Sequence, residues 1–112
     1  MAAEIVGTLV FVVGHEDATG LGVKQFIHGG PGTFTILFDF PVIDTCVEIA
    51  SIAHADTAGW ITAYGDPPLG QDAVSVRTGT WALEGTEHGI LWSTPLEDLT
   101  FQLLVVQPVA LQ

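Results

Sequence analysis

The chain has 112 residues, of which 48% are hydrophobic and only 13% charged, against about 25% charged in an ordinary soluble domain. Thirteen acids oppose two bases, Lys24 and Arg77, for a formal net charge of −11. That balance argues against direct nucleic-acid binding and against docking on anionic lipid, because both need Lys and Arg to displace counterions.

The length suits a single domain over residues 1–112 with one core. More apolar surface is present than one small core hides, and few charges are available to cover the outside. The outlet is contact with other chains, as a homo-oligomer or as a subunit of a larger assembly. The acids keep such a sticky protein dispersed. No stretch approaches the ~20 apolar residues of a membrane span. The start, Met1-Ala-Ala-Glu-Ile, lacks the basic and apolar regions of a signal peptide, so synthesis in the cytoplasm is expected. The single Cys46 allows no internal disulfide and reads as a small buried apolar residue.

Strands punctuated by Gly, Pro and Asp run the length of the chain. Ile5 to Val13 is the first, followed by a long polar loop from Gly14 to Gly22. Val23 to His28 is a short second strand, and Gly29-Gly-Pro-Gly32 turns it into the third, Thr33 to Phe40. There Phe34, Ile36, Phe38 and Phe40 project to one side, the period-two signature of a half-buried strand. Pro41 ends that ladder because it has no N–H to donate. Cys46 to His54 is the fourth, with Val47, Ile49 and Ser51 on one face and Glu48, Ala50 and Ile52 on the other. Trp60 to Tyr64, Ala73 to Thr78, Gly89 to Trp92 and Phe101 to Val106 complete the set. A helical turn is expected near Pro95–Asp98, with Thr94 as its cap. About eight short strands separated by turn signals predict an all-β fold, an antiparallel sandwich or barrel.

Catalytic chemistry is poorly supplied. His15, Glu16 and Asp17 cluster in one loop and could hold a cation, yet adjacent loop residues seldom converge on one ion and no second half-site follows. Glu87-His88 reads the same way. His28 and His54 lie near strand ends, where a threefold axis could gather copies of one of them around a metal; a partly exposed strand-end His is the plainer reading. Ser51, Ser75 and Ser93 sit in or beside strands rather than on the strained turn a nucleophile requires. No pair of carboxylates is singled out for glycoside chemistry, and Gly29-Gly-Pro-Gly32 lacks the Lys and helix of a phosphate loop. No cofactor and no metal are expected. Trp60 reads as core. Trp81, beside a polar turn, is the candidate for an exposed aromatic at an interface or a sugar platform.

The order and spacing of four segments resemble a module of bacteriophage tail fibres, capsid decoration proteins and the trimeric C-terminal domains of collagen-like bacterial surface proteins. They are Gly32-Thr-Phe-Thr-Ile-Leu-Phe-Asp-Phe-Pro41, Gly59-Trp-Ile-Thr-Ala63, Val74-Ser-Val-Arg-Thr78 and Asp98-Leu-Thr-Phe-Gln-Leu-Leu-Val105, within residues 20–106. The resemblance implies a jelly-roll-like β-sandwich that trimerises and is built into a virion, with no catalytic residues. No collagen-like or coiled-coil stalk precedes the module, which shifts the expectation toward a capsid decoration (cement) protein that stabilises the shell.

The expected partners are two further copies of this chain and a major capsid protein, on the capsid surface of a particle made in a host cytoplasm. An N-terminal arm, residues 1–6 with Ile5 and Val6, and the loop carrying His15, Glu16 and Asp17 are the candidate docking elements. A tail, residues 107–112 with Val109 and Leu111, is expected to pack on a neighbour. Two alternatives stand beside this reading. One is a receptor-binding module using Trp81 and the loops Asp56–Gly59 and Gly65–Gln71; the other is a small β-barrel metal-binding enzyme.

Overall fold

In β3 (Thr33–Phe38) every second residue is buried, and Phe34, Ile36 and Phe38 form the floor of the core. The computed structural model describes residues 2–15, 17–53 and 59–109. Its other strands are β1 (Ala2–Phe11), β2 (Val23–Gly30), β4 (Val47–Ile52), β5 (Trp60–Gly65), β6 (Ala73–Gly79), β7 (Ala82–Thr86), β8 (Gly89–Ser93) and β9 (Phe101–Val109). Two antiparallel sheets, β1-β9-β4 and β2-β3-β6-β5, face each other as a sandwich, and β7-β8 forms a separate two-stranded hairpin. The all-β expectation holds. Among the described residues no helix is long and apolar enough to cross a membrane.

Both sheets obey the same inward rule. Leu9 and Phe11 of β1 lie against Phe101, Leu103 and Val105 of β9, opposite Phe34, Ile36 and Phe38 of β3 and Val74 and Val76 of β6. Phe11 sits at the centre of an aromatic cluster, 4.7 Å from Phe34, 5.7 Å from Phe101 and 5.8 Å from Phe26 between ring centroids. Phe40 lies beyond the end of β3, where its ring tilts against Phe38 at 5.4 Å.

A bulge interrupts β1, where Ile5 pairs with Val106 but Gly7 pairs with Val105. The extra residue is Val6, which the bulge turns onto the core. Gly7 faces inward beneath the Phe38 ring, where a Cβ would come within 2.7 Å of the ring edge.

Three differences from the expected elements have physical causes. The strand β7 was not anticipated, since Ala82-Leu-Glu-Gly-Thr86 has little alternation of its own and is extended because β8 pairs with it. Residues 94–98 form no helical turn. Instead Thr80 N–H donates to Pro95 O and Glu97 N–H to Thr78 O, so Leu96 bridges to Gly79 at the end of β6. The described helical turn lies at Pro67–Leu69. Finally, strands β1 and β9 run further toward the chain ends, where Ala2, Ala3 and Glu4 pair with Val109, Pro108 and Gln107; Met1 and residues 110–112 of the expected arm and tail lie outside the described residues.

The described chain spans 61 × 30 × 30 Å with a radius of gyration of 15.9 Å, above the about 13 Å of a compact domain of this length. The paired chain ends occupy one pole. Phe11 and Ile52 pair with Phe101 near the other, from which the hairpin springs through residues 94–100.

Candidate interaction surfaces

The outer face of β1-β9-β4 is apolar. Antiparallel register sets three cross-strand rows on it: Ile5, Val106 and Val47; Thr8, Leu104 and Ile49; Val10, Gln102 and Ser51. None of these nine residues is charged. Ile5, Val10, Val47 and Ile49 are between 51% and 53% exposed, so the face is uncovered. Strand β4 is inverted relative to the usual pattern of apolar residues inside and polar outside. Val47 and Ile49 point out, while Glu48 points inward toward Gly65 and Ile43. Burial pushes the Glu48 carboxyl above its ordinary 4.5, and a hydrogen bond from its own backbone amide opposes the rise.

The outer face of β2-β3-β6-β5 is built differently. Its rows are Thr33, Arg77 and Thr62; Ile27, Thr35, Ser75 and Tyr64; and Gln25, Leu37 and Ala73. Hydroxyls and one guanidinium dominate, and Ser75 Oγ donates to Asp66 Oδ2 at 2.8 Å. Beside this sheet, Lys24, Phe38, Asp39, Phe40, Pro41, Gln71 and Asp72 line an open cleft of about 400 Å³. Lys24 Nζ stands 3.9 Å from Asp72 Oδ2.

The hairpin is the third surface. Leu83 pairs with Trp92 and Gly85 with Ile90, so Leu83, Gly85 and Ile90 share one face. Ile90 is 72% exposed and Leu83 58%. Trp81, two residues before Leu83, is 54% exposed, as expected of a surface aromatic. Among the hairpin residues whose burial is described, none belongs to the buried core.

The remaining candidates fall into place one by one. Ile5 is on the apolar outer face, whereas Val6 is half-buried on the core. His15 and Asp17 are exposed in the 14–22 loop, and Glu16 lies outside the described residues. That loop covers the edge of β1: Thr8 N–H donates to Leu21 O at 3.1 Å, and Leu21 N–H to Thr8 Oγ1 at 3.2 Å. Among the described residues no three His, Cys, Asp or Glu side chains gather as a metal site. Val109 closes the β9 ladder opposite Ala2; Leu111, His54 and residues 56–58 lie outside the described residues. Glu87 and His88 are exposed at the hairpin turn. Trp60 is half-buried, its Nε1–H donating to Thr80 O at 3.1 Å.

His28 is half-buried near the end of β2, as the plainer reading has it. Its ring stacks on Phe34 at 4.8 Å, and its Nε2 lies 2.9 Å from Asp98 Oδ1. The same carboxylate oxygen accepts the Gly32 N–H at 2.6 Å. Gly32 has φ +62°, and a Cβ there would overlap the Thr78 carbonyl. The His28–Asp98 pair therefore pins the β2–β3 turn to the segment entering β9. Sequence reasoning missed Asp98 because the pairing spans 70 residues. No protein-family model, curated protein or solved structure matches this chain.

Proposed function

We propose that this protein is a structural assembly subunit, a trimeric capsid decoration protein that binds the outer shell of a virion and stabilises it. One observation carries the assembly reading: a three-stranded sheet presents an uncharged outer face with four half-exposed β-branched side chains. A solvated sheet face normally alternates to polar residues, and an uncovered apolar sheet invites association. In this reading, further copies of the chain cover the face. The virion assignment draws on the resemblance of residues 20–106 to trimeric phage modules. The acids outside the contact keep the free protein dispersed and away from packaged nucleic acid.

Multi-angle light scattering at micromolar concentration should return three times the chain mass, and the protein should co-sediment with the shells of its own particle. A clean monomer would sink the assembly reading; a trimer found only in a tail fraction would sink the decoration reading. A second reading, a receptor-binding module, is favoured by the exposure of Trp81, since an open indole offers a stacking platform for sugars. Glycan binding abolished by Trp81→Ala would select it.

A further inference from the structure

We propose that the cleft between the start of β2, the end of β3 and the segment entering β6 is a binding site for an uncharged saccharide unit. The site goes beyond the assembly reading and is independent of it. Its described lining comes from Lys24, residues 38–41, Gln71 and Asp72, none of them on β1, β9 or β4.

The walls are in place before any ligand arrives. Val23 pairs with Phe38 and Gln25 with Leu37, so Lys24 is the extra residue of a bulge, a device that re-aims a side chain. Backbone bonds fix the other walls: Phe38 N–H donates to Asp72 O at 3.0 Å, Asp39 N–H to Gly22 O at 2.9 Å and Val42 N–H to Gln71 O at 2.8 Å. Residues 38–42 are thus tied on one side to the loop before β2 and on the other to the segment before β6. The Phe40 ring packs close over Gly22, where a Cβ would come within 2.7 Å of the ring edge. A site held in this way loses little freedom on binding.

The chemistry of the lining selects the ligand. Lys24 and the Gln71 amide group supply donors, while Asp39, Asp72 and the Gln71 side-chain carbonyl supply acceptors. Lys24 Nζ stands 3.9 Å from Asp72 Oδ2, beyond the roughly 2.7–3.2 Å of a hydrogen bond, so its N–H groups are open to a hydroxyl. Phe40 and Pro41 add apolar surface against which the C–H side of a sugar ring can lie. Two carboxylates beside one ammonium, in a chain of net charge −11, turn anions away. An apolar ligand would strip water from those carboxylates and return no hydrogen bond. Among the described residues no group of three ligands gathers for a metal. A neutral ring with hydroxyls on its rim satisfies the donors, the acceptors and the apolar patch together.

The volume, about 400 Å³, falls within the roughly 300–1,000 Å³ of small-molecule clefts. Because the cleft is open, a bound sugar keeps much of its water, and a dissociation constant on the order of 1 mM is expected. The site is also separate from Trp81. In the β3–β6 ladder Thr33 pairs with Arg77 and Leu37 with Ala73. The cleft lies at the Leu37 end, whereas the chain leaves the Arg77 end through Gly79 and Thr80 to reach Trp81.

Titration of isotope-labelled protein with the methyl glycosides of glucose, galactose, mannose and N-acetylglucosamine, followed by NMR, tests the site. At least one should shift the amides of Asp39, Phe40, Gln71 and Asp72 in a saturable way. Asp39→Ala and Gln71→Ala change exposed side chains and leave the backbone ties intact, so the folded spectrum should persist. Each should weaken the binding about tenfold, the loss of one hydrogen bond, while Trp81→Ala should leave it unchanged. No saturable shift with any of the four glycosides overturns the proposal. Binding that is lost in Trp81→Ala and indifferent to Asp39 and Gln71 overturns it as well. Sialic acid, a sugar that carries a carboxylate, is the charge control, and tighter binding of it than of the neutral glycosides overturns the choice of an uncharged ligand. Disaccharides ending in the preferred unit then separate the two sources of such a ring: affinity kept on extension marks the end of a glycan, and affinity lost marks a free sugar.

Discussion

The two sheets of the sandwich share one core and differ on their outsides. Inward, β3 and β9 are equivalent: Phe34, Ile36 and Phe38 meet Phe101, Leu103 and Val105, all buried. Outward, β2-β3-β6-β5 shows Thr33, Thr35, Thr62, Ser75 and Arg77, while β1-β9-β4 shows Ile5, Val10, Val47, Ile49, Leu104 and Val106. The first face offers water exposed Thr62 and Arg77 and half-buried Thr33 and Thr35, with Ser75 buried against Asp66 and Ile27 and Tyr64 also exposed. The second offers water only Thr8, Ser51 and Gln102 beside its exposed aliphatic side chains, and each Å² of apolar surface left wet costs roughly 25 cal/mol. Among the described residues, Ile5, Val10, Val47 and Ile49 form rows on one sheet and Leu83 and Ile90 share a hairpin face, and the proposed association would use such surfaces.

The largest effect should come from the part the sheets share. Phe34→Ala removes a fully buried ring packed on Phe11, Phe26, His28 and Phe101 and should cost about 3–5 kcal/mol of stability. Chemical denaturation of the dissociated chain would show it as a lower midpoint that does not depend on protein concentration. Outward changes should separate the two faces. Ile49→Glu should raise the dissociation constant of the assembly on the order of a hundredfold, about 3 kcal/mol, with the isolated chain little altered. Thr62→Glu, opposite Arg77 on the polar sheet, should change neither quantity by more than about 0.5 kcal/mol. Equal sensitivity of the two faces in sedimentation experiments would erase the distinction.

A smaller effect is expected at the seam where the sheets are tied together. Asp98→Ala deprives both His28 Nε2 and the Gly32 N–H of their acceptor, at a cost of about 1–3 kcal/mol. Asp98→Asn keeps an oxygen in place and should recover most of the loss. Thermal melts of the three proteins at one concentration distinguish this role from an interfacial one, because the assembly mass should be unchanged.

Much of this architecture is legible in the residues. The alternation of β3, the stop at Pro41 and the turn at Gly29–Gly32 mark strands correctly because local chemistry and tertiary position agree there. Thr94-Pro-Leu-Glu97 carries helix-start chemistry, but bonds to Thr78 and Thr80 from a neighbouring strand override it. Ala82–Thr86 is a strand only by virtue of its partner, which periodicity cannot see. On the interaction surfaces, Ile5 and Trp81 are legible as exposed candidates, whereas Val6 is turned inward by a bulge one residue away. The apolar face itself is hidden for a different reason. By hydropathy Val47, Ile49 and Ser51 would take the core side over Glu48, Ala50 and Ile52, so alternation shows two sides of β4 while polarity points to the wrong one.

That inversion leads to the smallest predicted effect. Glu48 occupies an inward position that its outward neighbours, by polarity, would fill better. Burial holds its folded-state carboxyl above the ordinary 4.5, so the native state favours the protonated form more than the unfolded chain does. The resulting penalty is absent below the unfolded value and grows as pH rises through the folded one. Glu48→Gln keeps an oxygen able to accept the residue's own amide and removes the charge. It should therefore raise the melting temperature at neutral pH, and the gain should vanish below pH 4.5. A gain of the same size at both pH values would mean that packing rather than ionisation is responsible. A loss at neutral pH would instead give the charge a protective role, since an inward carboxylate on an edge strand also discourages unwanted strand pairing. In that case added sedimentable aggregate should accompany the lower melting temperature.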